Sequence, residues 1–192
     1  MKRRLGPGLC AAVVTLAVSG CGAEASVGGG GSAAYDTAKQ DVMSQVKTWP
    51  QGAGGALKLV NGESSKSLTM LVASREAPRW DETVKRWIIP FRAVDAGSAT
   101  ATLIFQVDEM KAGRFEGSDS KAGCVIGIGV GPNWDSQAPG VAWSNNDGGY
   151  CEVTLTAAAR PGHFEGQFKA KLVSNSKDSI YRIEQGYVYV AR

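Results

Sequence analysis

Apolar residues recur at two different periods along this chain. Tyr35, Ala38, Val42, Val46 and Trp49 lie three or four residues apart with polar residues between them. That spacing gathers them on one face of a helix, which Pro50 would end. A strand through 42–49 is the competing reading. From Gly55 onward the period falls to two. Phe164, Gly166, Phe168, Ala170 and Leu172 alternate with Glu165, Gln167, Lys169 and Lys171, as in a strand with one buried and one wet face. Cys151, Val153 and Leu155 alternate with Glu152, Thr154 and Thr156 in the same way, and Leu103, Phe105 and Val107 alternate less cleanly with Thr102, Ile104 and Gln106. Cys124 shares its parity with Ile126, Ile128 and Val130, and Tyr187 to Val190 reads as a closing strand. Turn-forming clusters separate these runs: Asn61-Gly62, Asp95-Ala96-Gly97, Lys111-Ala112-Gly113, Asn146-Asp147-Gly148-Gly149, Pro161-Gly162 and Ser174-Asn175-Ser176. No helical segment lies between them to carry a parallel crossover. The pattern predicts a mainly β domain over 35–192 with one N-terminal helix: an antiparallel β-sandwich of roughly seven to nine strands, with a small closed barrel as the alternative. The stretch 77–91 suits either a helical face (Trp80, Val84, Trp87, Ile88) or a strand from about Lys85 after a loop; the strand is the expectation.

The first twenty residues follow a different logic. Lys2, Arg3 and Arg4 precede an apolar stretch from Leu9 to Val18 and then small residues, the layout of a secretory signal. That stretch is shorter than the roughly 18 to 20 residues a membrane-spanning helix needs. Val18-Ser19-Gly20-Cys21 resembles the lipobox of bacterial lipoproteins. The resemblance implies cleavage before Cys21, a diacylglyceryl group on its sulfur and acylation of the new amino terminus, together enough for stable anchoring. The plainer reading is an ordinary secretory signal cleaved near Ala23-Glu24-Ala25. Residues 21–34, with Gly28-Gly29-Gly30-Gly31-Ser32 inside them, read as a flexible spacer between lipid and domain.

Removal of the leader changes two inferences. The chain carries 21 basic and 18 acidic residues, but without Lys2, Arg3 and Arg4 eighteen of each remain. Such a neutral, interspersed surface offers nucleic acid no attractive field. Cys10 leaves with the signal and Cys21 is the lipid site, so Cys124 and Cys151 remain as an even pair in an exported chain. A disulfide between them is expected, pinning two strands from the core side. A metal or redox site lacks the second ligand pair it would need.

Catalytic motifs are missing where they would be sought. His163, in Arg160-Pro161-Gly162-His163-Phe164, is the only histidine, and an exposed turn is its expected setting. Gly127-Ile128-Gly129-Val130-Gly131 lacks the third glycine and the helix of a dinucleotide loop, so glycines admitting a close neighbour are the better account. Ser144 to Gly149 resembles a calcium loop only superficially, because no acidic twelfth ligand follows. Asp81-Glu82 and Asp108-Glu109 are sequence neighbours that point apart, so neither pair is evidence for glycoside chemistry. Trp134, in a loop rich in glycine, proline and polar residues, is a candidate stacking platform for a glycan or protein, or else a cover over the end of the fold; the other tryptophans read as packing residues.

From Cys124 to the end, the cysteine strands, the Gly166–Leu172 run and Gly186-Tyr187-Val188-Tyr189-Val190 resemble the closing half of many uncharacterised bacterial lipoproteins with sandwich domains, which supply no catalytic residues. The expectation is therefore a lipid-anchored, non-enzymatic envelope protein without cofactor, with a protein or glycan partner. The rival is an envelope hydrolase, glycosidase-like, using carboxylates or His163. Gly22 lacks the aspartate that retains such proteins at the inner membrane, so the outer membrane is the expected location, with the outer leaflet of the cytoplasmic membrane as the alternative.

Overall fold

The computed structural model describes residues 30–49, 51–62, 67–93, 101–121, 123–130 and 135–191. The leader, Cys21 and Trp134 lie outside the described residues. One helix, α1 (Gly30–Val46), precedes eleven strands: β1 (Gly52–Asn61), β2 (Ser67–Ser74), β3 (Arg79–Asp81), β4 (Arg86–Ala93), β5 (Ala101–Val107), β6 (Gly113–Ser118), β7 (Cys124–Val130), β8 (Ala142–Trp143), β9 (Tyr150–Ala157), β10 (His163–Ser174) and β11 (Ile180–Ala191). The helix starts at Gly30, inside the stretch expected as spacer. Once Tyr35 and Val46 are buried against the sheet, extending the helix backward through Ser32, Ala33 and Ala34 adds a hydrogen bond per residue with no new nucleation cost. Among the described residues no helix is long and apolar enough to cross a membrane.

All strand pairings are antiparallel, and the order β11-β1-β2-β4-β5-β7-β8-β10 returns to β11 through the β10–β11 pairing. Eight strands therefore form a closed ring, the barrel given above as the alternative, rather than two separate sheets. β3 extends β4, and β9 and β6 continue outward from β10. The physical reason for closure is the two-residue strand β8: Ala142 and Trp143 pair with Ile128 and Gly127 on one side and with Ser174 and Val173 on the other. So short a bridge carries no periodic signal, and without it the ring would open between β7 and β10.

The interior is filled by the residues whose period-two spacing predicts it. Leu103, Phe105 and Val107 of β5, Cys124 and Ile126 of β7, Val153 and Leu155 of β9 and Phe168, Ala170 and Leu172 of β10 are all buried in one cluster. Phe105 and Phe168 meet edge to face across it, with ring centroids 5.4 Å apart. Cys124 and Cys151 are bridged, their Cα atoms 6.2 Å apart, within the reach a disulfide requires. The bond ties β7 to β9, which are not paired with each other. It passes over Gly117 of β6, where a Cβ would strike the Cys124 carbonyl and the Cys151 sulfur.

A smaller cluster lies outside the ring, where Tyr35, Met43 and Val46 of α1 pack on Ala56, Tyr187 and Tyr189. The end of β11 is thus covered on both faces: Val188 and Val190 face the barrel core and Tyr187 and Tyr189 face the helix. This accounts for the unbroken apolar run there. The 77–91 stretch is a hairpin, with β4 starting at Arg86 as the strand reading expects and Trp80-Asp81 adding a short partner. Asp81 accepts hydrogen bonds from the Thr83 and Val84 amides in the turn, and Lys85 takes the left-handed conformation that closes it. Trp80 is exposed, its ring edge on to half-buried Trp87 at 6.0 Å, so it does not pack in the core as its residue type suggests.

Candidate binding groove

Two hollows stand out among the described residues. The larger, of about 920 Å³, runs between α1 and the outer face of β9, β10 and β11. Most of its charged groups are engaged by neighbouring side chains. Tyr187 donates to Glu165 at 2.9 Å, Glu152 pairs with Arg114 at 3.2 Å and Glu184 with Lys58 at 3.2 Å, while Lys39 sits 4.5 Å from the Tyr187 ring centroid. Burial, helped by the negative charge of Asp36, pushes the Tyr35 hydroxyl up to about 12, and burial together with Glu165 raises Tyr187 further. Both phenols stay neutral and serve as packing groups with a polar tip. This hollow is the seam by which the helix is fastened to the barrel.

The second groove, of about 520 Å³, is built differently. Its floor is the outer face of β4, β5 and β7, where Ile88, Gln106 and Val125 stand side by side in register. In the next row Ile104 faces Gly127, and the Trp143 ring lies directly on that glycine, where any Cβ would collide with it. The glycine run of β7 thus admits a close neighbour, as its sequence suggests. The Trp143 indole N–H donates to the Ser136 carbonyl at 3.2 Å, which fixes the ring plane.

The wall is a latched set of loops. The Asn175 side-chain amide donates to the Ser136 and Ala138 carbonyls at 3.0 and 2.9 Å, and the Asn146 amide donates to the Val173 carbonyl at 2.8 Å and to the Asn175 side-chain oxygen at 3.2 Å. The segment that resembles a calcium loop contributes Asn146 to this latch, while the Ser144 hydroxyl accepts from the Ile126 amide, Asp147 pairs with Lys177 and the Gly149 amide closes a turn on the Asn146 carbonyl. Among the described residues no cluster of three or more histidine, cysteine and carboxylate side chains could hold a metal ion. Ser136 and Gln137, which line the groove, follow Trp134 closely in the chain.

Two features give the groove chemical character. Gln106 is only 8 % exposed, yet its amide makes no hydrogen bond to any described residue. Since no fully enclosed side-chain nitrogen or oxygen among the described residues lacks a partner, that amide opens into the groove. The rim carries Arg79 and Arg86, of which Arg86 is held by Asp108 at 3.1 Å. The sequence signal for this site was the apolar Ile104 on the wet face of β5. Arg79, Gln137 and Asn145 carried none, because the loops that gather them are distant in the chain.

His163 is not an exposed turn residue; it is 4 % exposed. It lies on the outer face of β10, where the end of α1 and the β9–β10 turn cover it. Its Nδ1 is 3.0 Å from the Tyr189 hydroxyl, and Arg160 beside it donates to the Trp49 carbonyl at 3.3 Å. Burial, with the Arg160 charge, holds the imidazole below its ordinary value of 6.5. Because the folded state resists the proton that the unfolded chain accepts, this residue's contribution is complete above about pH 6.5 and declines as pH falls below it. Thermal melting between about pH 8 and pH 5 should therefore show an acid-side loss that is smaller in His163→Gln. Identical pH profiles for the two proteins would refute this account of His163. Compared with known proteins, the chain matches no protein-family model and no curated protein sequence.

Proposed function

We propose that this chain is a lipid-anchored protein of the bacterial cell envelope, tethered through Cys21 and acting as a non-enzymatic binding module, with a glycan as the partner in the groove beside Trp143. The observation that carries the reading is the groove itself: an apolar floor, an indole held flat by its own hydrogen bond, and at the centre a recessed amide that opens to the groove with its hydrogen-bonding capacity unspent on the described residues. Sugars present an apolar C–H face and a set of hydroxyls, and that combination calls for an aromatic or aliphatic surface next to fixed amides. The groove offers less to a protein partner that binds as an added strand. β4 and β5 are already hydrogen-bonded along both edges over the floor, leaving no backbone for an extended peptide to pair with.

The anchoring half is tested by Cys21→Ser, which should leave unprocessed precursor or a soluble form in cell fractionation. Membrane association that survives both this change and a high-salt wash would sink it. The binding half is tested by incubating the purified protein with envelope glycan fragments: retention without cleavage supports a binding module, whereas turnover supports the glycosidase-like alternative.

A further inference from the structure

We infer that the glycan held in this groove is an acidic one, a saccharide bearing a carboxylate that Arg79 pairs with while Gln106 hydrogen-bonds a hydroxyl of the same ligand. The inference rests on the binding reading above and specifies its ligand class. Among the described residues no aspartate or glutamate lines the groove, while two guanidinium groups do. Arg86 is committed to Asp108 at its rim. Arg79 is exposed and has no ion-pair partner among the described residues. The chain after its leader carries equal numbers of acidic and basic residues, so a groove whose charged lining among the described residues is cationic departs from the average surface and favours an anion. A guanidinium matches a carboxylate through two parallel N–H donors, and the geometry costs little side-chain freedom.

Gln106 stands in register between Ile88 and Val125, so its amide meets the groove from within an otherwise apolar stretch of floor. Arg79 faces Ile88 on the adjoining strand. The chain order across the floor is therefore Arg79, Ile88, Gln106, Val125: a cation at one edge and an amide two strands further in. A ligand satisfying both needs an anionic group and a hydroxyl separated by an apolar ring face, as a uronic acid residue has. The volume of about 520 Å³ falls in the ~300–1,000 Å³ range of small-ligand sites.

The test uses the detergent-solubilised full chain on an array of matched neutral, carboxylated and sulfated oligosaccharides, with poly-glutamate as a peptide control. Carboxylated glycans should be retained at least about tenfold more strongly than their neutral counterparts. Arg79→Gln should bring the two to the same level with melting temperature unchanged. Gln106→Leu should weaken binding of neutral and acidic forms alike by about tenfold. Equal retention of neutral and acidic glycans, an Arg79→Gln protein that still prefers the acidic ones, or preference for sulfated over carboxylated forms overturns the inference of a carboxylated sugar and leaves the glycan reading standing. Retention of poly-glutamate with no glycan bound, or no retention of any glycan, overturns both.

Discussion

Replacing Cys124 and Cys151 together by alanine is expected to lower stability by about 3.5 kcal/mol and the melting temperature by about 10 °C. The bridge closes a separation of 27 residues, and freeing that loop restores conformational entropy to the unfolded chain. Its position adds to the effect. β7 and β9 are not neighbours in the sheet, so the disulfide is a covalent cross-link, beyond the chain itself, between the ring and the β9–β6 extension that continues from β10. Both sulfurs are buried in the main core, and two alanines would leave a void beside Gly117. Urea denaturation of the oxidised protein and the double variant reads the difference directly. A loss below about 1 kcal/mol would mean that the hydrogen bonds between Glu116 and Gly123 and the β9–β10 ladder already hold the extension in place without covalent help.

Phe105→Ala is expected to cost about 3–5 kcal/mol, the range for deleting a fully buried aromatic side chain. Phe105 is 0 % exposed and lies at the middle of β5, with its ring against Phe168 from the other side of the barrel. A closed ring cannot collapse around the vacated volume as the facing layers of a sandwich can, because every strand is held by hydrogen bonds on both sides, so the value should fall in the upper half of that range. The same denaturation measurement checks it, together with the far-UV spectrum to establish that the sheet persists. A cost below about 2 kcal/mol would show that the interior relaxes and that the ring is looser than its pairings imply.

Several features were legible along the chain because they depend on local periodicity. The alternation in β5, β9 and β10 fixes which side chains face inward, and a one-residue slip would turn all of them outward. The shared parity of Cys124 with Ile126 and of Cys151 with Val153 was enough to anticipate the bridge. The helical spacing from Tyr35 to Trp49 gave α1, and Gly127 announced a close neighbour without naming it.

The sites were less legible for a stated reason. His163 was expected in solvent because its own segment is a turn, but Tyr189 and the chain just after α1, both remote in sequence, close over it, the latter held by Arg160 of the same turn. The candidate groove draws Arg79, Gln106, Gln137, Trp143 and Asn175 from five separate segments, and its one local trace was Ile104 on a face otherwise read as wet. Secondary structure, core-facing residues and the cysteine pairing were thus determined by the sequence itself, since each follows from side-chain period or from a count of the cysteines that remain. Closure into a barrel was decided by the tertiary structure alone. It turns on Ala142 and Trp143, two residues whose pairing with β7 and β10 has no period to announce it and forms only when the rest of the sheet has brought those strands within reach.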